Sequence, residues 1–62
     1  MDTFEDILMA ASNSYTAIYK QDGDSWIGWI EEVPGVNAQE KTKNELFASL
    51  KLILKEALKF KK

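Results

Sequence analysis

The chain lacks cysteine and histidine altogether, and its 62 residues include one proline and three glycines. Disulfide bonds are therefore excluded, and so are zinc sites of the usual kind, which draw their ligands from cysteine and histidine. Acid–base or nucleophilic catalysis would fall to carboxylates, lysines or hydroxyls, and no spacing of these groups matches a catalytic motif. The sequence thus predicts a protein that is not an enzyme and holds no cofactor or metal.

Long apolar segments are also missing, since no run approaches the roughly 18 residues that cross a membrane. Residues 1–6 are acidic, whereas the start of a secretion signal is basic. The absence of cysteine fits a reducing compartment. Together these features predict a cytoplasmic protein without membrane contact.

Small size limits the stability that one molecule can reach. A core of this size rarely supplies more than roughly 3–5 kcal/mol, so small folds use disulfides, metals or association. Composition removes the first two of these routes. We therefore expect a homo-dimer or a higher oligomer.

Charge is distributed unevenly along the chain, although the net charge is only −2. Residues 1–40 contain eight acidic residues and one lysine, whereas residues 41–62 contain seven lysines and two glutamates. Nucleic-acid-binding surfaces are usually basic, so an acidic first half favours a basic protein partner. A surface whose charges serve only solubility stays open as the alternative.

Three strands are predicted, because aromatic and β-branched residues alternate between turn signals. In chain order they are residues 14–20, 25–31 and 36–39. Asp22 and Gly23 between the first two indicate a hairpin turn, and a turn explains the acids around Gly23 better than a metal-binding loop does. Pro34 interrupts pairing before the third strand.

The second predicted strand is apolar on both faces. Alternation directs Trp26, Gly28 and Ile30 to one face, and Ile27 and Trp29 to the other. A sheet with one wet side would instead alternate apolar with polar residues. This strand should be covered on both sides, which points to a partner.

A helix is predicted for residues 42–60, with Thr42 and Glu45 forming a capping box. Apolar residues then recur at the spacing of one helical face. For residues 1–13 the pattern is ambiguous, because a short helix, an extension of the first strand and a segment across the uncovered sheet face all fit. The prediction is one α+β domain over residues 1–62: a three-stranded antiparallel sheet (β-β-β-α) with the C-terminal helix on one face.

The order of motifs from Tyr15 to Leu58 resembles the small form of the HicB antitoxin family. The resemblance rests on the hairpin, on residues 32–39 with their Pro-Gly pair, and on the Thr-x-x-Glu cap that opens the helix. Glu40 and Leu46 stand where the family pattern usually has glycine and alanine. The resemblance implies a partial ribonuclease-H-like fold without nuclease activity, often completed by a fourth strand.

The resemblance also implies partners. Typical members bind and mask HicA, a small basic toxin that cleaves messenger RNA, and full-length members add a DNA-binding domain. No DNA binding is expected here, since the sequence runs only to residue 62. A solitary homo-oligomeric HicB-like protein without a toxin remains an alternative.

Aromatic and acidic residues of the sheet are the candidates for a protein interface, because interfaces favour tyrosine and tryptophan. The candidate interface residues are Tyr15, Tyr19, Trp26, Trp29, Glu31 and Glu32. Sheet aromatics can also stack on single-stranded bases, so a small nucleic-acid-binding domain is the other alternative.

Overall fold

The structure, a computed structural model, describes residues 3–10 and 12–59. In chain order these residues form β1 (Thr3–Ala10), β2 (Asn13–Asp22), β3 (Ser25–Ile30), β4 (Asn37–Glu40) and α1 (Lys43–Lys59). The strands lie side by side in the order β1-β2-β3-β4, and every neighbouring pair is antiparallel. The predicted α+β class, antiparallel sheet and C-terminal helix are confirmed. The predicted strand number is wrong, since the sheet of the described residues has four strands.

The additional strand is β1, in the segment whose sequence pattern is ambiguous. It pairs with β2 along its whole length, from Thr3 opposite Lys20 to Ala10 opposite Asn13. In the strand, the backbone N–H and C=O groups that face β2 are hydrogen-bonded to it. A short isolated helix would instead leave the backbone groups at both of its ends without partners. β1 therefore extends the sheet at one edge and does not lie across a sheet face.

The β2–β3 hairpin is tighter than predicted. Asp22 pairs with Ser25, which leaves Gly23 and Asp24 as the loop. Gly23 has a φ of 62°, the left-handed conformation that glycine adopts without a steric penalty. Glycine at the first of two loop residues is the signature of a type II′ turn, whose twist matches that of the flanking strands.

The sheet has two distinct faces, which the strand register assigns. The covered face, against which α1 packs, carries Phe4, Asp6, Leu8, Ala10, Asn13, Tyr15, Ala17, Tyr19, Gln21, Trp26, Gly28, Ile30, Ala38 and Glu40. The open face carries the alternate residues of each strand. As predicted, Trp26, Gly28 and Ile30 share one face of β3 while Ile27 and Trp29 share the other.

The core lies between α1 and the covered face. Leu46, Leu50 and Leu54 of α1 are completely buried there. Gly28 lets the helix approach, since a Cβ at this position would lie 3.0 Å from the Ile18 carbonyl oxygen and 3.1 Å from Leu46 Cδ2. The absence of a side chain at the middle of β3 therefore fixes how closely the helix can pack.

Two side-chain contacts fix the start of α1. Thr42 Oγ1 accepts a hydrogen bond of 3.1 Å from the Glu45 N–H and donates one of 3.1 Å to Glu45 Oε1. Ser49 Oγ donates a 2.6 Å hydrogen bond to Glu40 Oε2, which ties the helix to the end of β4. The predicted N-cap is confirmed, and the predicted end of the helix at residue 60 lies outside the described residues.

Candidate functional site: the open face of the sheet

Five apolar side chains occupy the open face of the sheet: Ile7, Met9, Ile18, Ile27 and Trp29. Ile7 is 59% exposed, Met9 57% and Trp29 37%, while Ile18 and Ile27 are half-buried. Ile18 lies directly opposite Trp29 in the β2–β3 ladder, so these two side chains form the middle of the group. Isolated surface hydrophobes are ordinary, but contiguous apolar patches mark interaction sites.

Polar residues surround this apolar group on the open face. The register places Glu5 on β1 and Lys20 and Asp22 on β2 there, together with uncharged residues of all four strands. The uncharged polar residues of the open face are Thr3, Ser14, Thr16, Ser25, Asn37 and Gln39. Two acids and one base leave the open face with an excess of one negative charge around its apolar middle. Protein interfaces commonly have this arrangement of apolar core and polar rim.

Three of the aromatic interface candidates lie on the covered face instead. Tyr19 is buried at 7% exposure, and its ring meets Phe47 edge-on with 4.9 Å between centroids. Tyr15 and Trp26 are half-buried and pack against the core. The structure therefore places Tyr19 in the core of the molecule and leaves Trp29 as the one candidate aromatic on the open face.

An aromatic cluster closes the covered face near the start of α1. The Tyr19 ring stacks on Phe4 at 5.6 Å and lies 6.1 Å from Trp26. Lys43 Nζ lies 5.8 Å from the ring centroids of both Tyr19 and Trp26, within range of a cation–π interaction. The cluster serves packing between sheet and helix. It offers no stacked platform for bases, because the aromatics of the described strands other than Trp29 face the helix.

The two glutamate candidates follow β3, in the turn rather than in the strand. The predicted strand end at Glu31 is one residue too long. The Glu31 N–H donates a 2.9 Å hydrogen bond to the Thr16 carbonyl oxygen, and the Glu31 side chain is exposed. Glu32 accepts two hydrogen bonds of 2.7 Å, one from the Thr16 N–H and one from the Thr16 hydroxyl. These contacts anchor the turn to β2.

Hydrogen bonding to Thr16 also sets the ionisation of Glu32. The backbone N–H and then the hydroxyl stabilise the charged carboxylate, and they lower the pKa of Glu32 below its ordinary value. Because this carboxylate is engaged within the molecule, Glu31 is the freer of the two for contact with a partner.

The outer edge of β1 carries a different polar feature. The Ile7 N–H donates a 2.8 Å hydrogen bond to Asp6 Oδ1, and not to a neighbouring strand. Unpaired strand edges attract other strands, and charged side chains at the edge are one way in which proteins block such pairing. The Asp6 side chain therefore accepts the hydrogen bond of a backbone N–H that an added strand would otherwise use.

Charged side chains divide between the two ends of the sheet and the outside of the helix. Asp22 and Asp24 are exposed at the β2–β3 turn, and Glu31 is exposed at the opposite end of β3. Exposed lysines recur every four residues along α1, at Lys51, Lys55 and Lys59. Leu52 lies between these lysines and is 63% exposed, apart from the open face of the sheet.

The described residues contain no pocket and no group of three or more acidic side chains that could hold a metal ion. No helix of residues 3–10 and 12–59 has the length and apolar character needed to span a membrane. Sequence reasoning placed Ile27 and Trp29 on a shared face but did not include Ile7, Met9, Ile18 or Ile27 among the site residues. The alternation of each strand was the signal that could have found them.

Comparisons with known proteins identify no relative. No family model, no curated protein and no solved structure matches the chain. The geometry of the open face is therefore the basis for a functional proposal.

Proposed function

We propose that this chain is a non-enzymatic protein-binding module of the HicB-like antitoxin type, which works in the cytoplasm. Its partner is a small basic toxin that resembles HicA and cleaves messenger RNA. The chain neutralises this toxin by masking its surface sterically. The open face of the sheet supplies the contact.

The observation that carries the proposal is the apolar group in the middle of the open face. Ile18, Ile27 and Trp29 lie on adjacent strands with no element of the described residues packed over them. Burial of one tryptophan side chain of about 200 Å² contributes about 5 kcal/mol before the entropic and desolvation costs of association. Tryptophan is also a residue type that dominates measured interface energies.

Charge around the open face supports a basic partner. Asp22, Asp24 and Glu31 place carboxylates at both ends of the hairpin, around the apolar middle of the open face. Such a perimeter attracts a positively charged protein over distances of about a Debye length, roughly 8 Å at physiological ionic strength. The acids thus steer the partner, and the apolar middle provides the contact area.

Co-purification tests this function. The chain is co-expressed with the small basic protein encoded beside it, and the complex is assayed for RNA cleavage. We expect recovery of a stable complex in which cleavage is inhibited, and loss of both effects in Trp29→Lys. Leu52→Lys is the matched control, since it places the same charge at an exposed apolar position away from the sheet.

Two outcomes would contradict the proposal. One is that no complex forms while both proteins are folded by circular dichroism. The other is that inhibition persists in Trp29→Lys, which would place the contact elsewhere.

A further inference from the structure

We infer that the outer edge of β1 binds an extended segment of another protein, which adds to the sheet as a further strand and carries two adjacent basic residues. This site goes beyond the proposed contact on the open face. It lies two strands away from Trp29 in the order of the sheet, and it uses backbone hydrogen bonds as well as side chains.

The backbone of β1 presents every second residue at the outer edge. Thr16, the partner of Ile7 in the ladder, makes its backbone hydrogen bonds on the side away from β1. Its carbonyl oxygen accepts from the Glu31 N–H, and its N–H donates to the Glu32 carboxylate. Ile7 and Thr16 therefore form a non-hydrogen-bonded pair, and the backbone groups of Ile7 point outward. The other residues of β1 with this orientation are Thr3, Glu5 and Met9.

Large apolar side chains are exposed on both faces of this edge strand. Phe4 is 47% exposed on the covered face, and Ile7 and Met9 are more than half exposed on the open face. Side chains directly opposite each other in a ladder pack with their Cβ atoms about 4.5–5.5 Å apart. Apolar residues on an added strand would therefore cover Phe4 on one face, and Ile7 and Met9 on the other.

The charges of β1 favour a basic segment. Glu5 and Asp6 are adjacent, so they lie on opposite faces of the strand, and β1 contains no basic residue. Lys20, the one basic residue of β2, lies opposite Thr3 at the end of the ladder. An added strand with two adjacent lysines or arginines places one base beside each carboxylate. Opposite charges that face each other across a ladder stabilise the pairing.

The same charges disfavour a second copy of the chain at this edge. β1 of a second molecule would bring two more carboxylates and no base into the ladder. β4, the strand at the opposite edge, also contains a glutamate and no base. Because like charges across a ladder are destabilising, the edge discriminates between copies of itself and a basic partner.

Asp6 makes addition of other strands less favourable. Its Oδ1 accepts a 2.8 Å hydrogen bond from the Ile7 N–H, which is one of the outward donors. A strand that pairs with β1 takes over this donor, and a basic residue opposite Asp6 gives the released carboxylate a new partner. A neutral or acidic strand offers no such exchange. The hydrogen bond within β1 therefore adds to the selection of a basic segment.

A synthetic octapeptide, Thr-Val-Val-Ile-Lys-Lys-Val-Thr, tests the inference on the full chain. When it runs antiparallel to β1 with its last residue opposite Thr3, its lysine pair lies opposite Glu5 and Asp6. Fluorescence anisotropy of the dye-labelled peptide measures affinity, and nuclear magnetic resonance of the isotope-labelled chain locates the site. We expect saturable binding that slows the amide exchange of Glu5, Ile7 and Met9 as their N–H groups enter the new ladder.

Control peptides separate strand addition from simple attraction of charge. Replacement of the lysine pair by glutamates should weaken binding at least about tenfold at low salt, since two attractive pairs become repulsive. N-methylation of the isoleucine and the second lysine removes two donors that point to β1, and should also weaken binding at least about tenfold. N-methylation of the second valine and the first lysine alters the side that faces away from β1, and should change binding by less than about threefold.

Variants of the chain test the two acids. Glu5→Gln combined with Asp6→Asn should weaken binding of the lysine peptide at least about threefold, and should reduce its advantage over the glutamate peptide. Asp24→Asn combined with Glu31→Gln is the matched control, since it removes the same charge from exposed positions beyond the two ends of β3. The control should stay within about twofold of the wild type.

Three results would overturn the inference. They are no saturable binding of the lysine peptide up to about 1 mM, equal affinity for the lysine and glutamate peptides, and no effect of N-methylation on the side that faces β1. Absence of peptide binding in a chain that still binds the toxin would remove the inference and leave the proposed function standing. Peptide binding at the edge without toxin binding would do the reverse.

Discussion

The two faces of the sheet are both apolar at their middle, but within residues 3–10 and 12–59 a helix covers only one of them. The covered face presents small residues where α1 approaches, at Ala17, Gly28 and Ala38. The open face has larger side chains at its middle, including Ile18 and Trp29. Side-chain size at the middle of the sheet, and not hydrophobicity alone, therefore distinguishes the face that α1 covers from the open face.

Truncation at the covered face should have the largest effect. Leu50 of α1 is completely buried against the sheet, and Leu50→Ala should cost about 2–5 kcal/mol of unfolding free energy. That loss is comparable to the roughly 3–5 kcal/mol expected for a domain of this size. Urea titration followed by circular dichroism should show a chain that is largely unfolded in buffer.

Ile7→Ala on the open face is the matched control for this truncation. Ile7 is 59% exposed, so the unfolding free energy of the monomer should fall by less than about 1 kcal/mol. Equal losses from the two variants would contradict the distinction between the faces.

A single added methyl group tests how tightly the helix packs on the sheet. In Gly28→Ala the new Cβ would lie 3.0 Å from the Ile18 carbonyl oxygen and 3.2 Å from Leu50 Cδ1. Neither the backbone nor a buried leucine can move away freely, so the cost should be about 1–3 kcal/mol. Thermal unfolding at low micromolar concentration measures it, and an unchanged or raised midpoint would show that the interface is looser than the structure has it.

Loss of the helix cap should lower the unfolding free energy by less than the truncation of Leu50 does. Thr42→Ala removes the hydroxyl that accepts the Glu45 N–H, and should lower the unfolding free energy by about 1 kcal/mol. Thr42→Ser retains the hydroxyl and should stay close to the wild type. Urea titration of both variants checks the difference, which would vanish if the cap contributed nothing.

Acid should lower the stability of the fold by weakening the contact between Thr16, on the open face, and Glu32. The pKa of Glu32 is lowered in the folded chain by hydrogen bonds from the Thr16 N–H and hydroxyl. The stability from this contact is therefore present above the ordinary pKa of glutamate, and is lost as pH falls through the lowered value. Urea titrations at several acidic pH values should show this loss.

Glu32→Gln should remove that part of the pH dependence. Glu31→Gln is the matched control, because it deletes the same charge one residue away while the Thr16–Glu32 hydrogen bonds stay in place. An identical pH profile in the two variants would contradict the assigned role of Glu32.

Local sequence signals predicted the helix and the central hairpin well. The cap at Thr42 and the turn at Gly23 depend on residues within a few positions of each other, and both are as predicted. β1 was ambiguous for a physical reason. Phe4, Ile7 and Leu8 have helical spacing, and only pairing with β2, whose partner residues lie 3 to 17 positions further along the chain, makes this segment a strand.

The candidate site could be predicted only in part. Alternation separates Trp26 from Trp29, but it does not say which face the helix covers. Tyr15, Tyr19 and Trp26 are therefore interface candidates by sequence, although they lie on the helix side of the sheet. The small residues Ala17 and Gly28 mark that side. Their role follows only from the register between β2 and β3, which places Ala17 opposite Ile30 and Gly28 opposite Tyr19.

The plain meander of the sheet has a consequence for folding speed. Each strand lies beside the strand that precedes it in the sequence, so every ladder closes a short loop. Pairing between sequence neighbours speeds folding relative to sheets with crossover connections, since less chain entropy is lost before each ladder forms. The open face of a newly made copy should therefore be complete as soon as the central hairpin has paired with its two flanking strands.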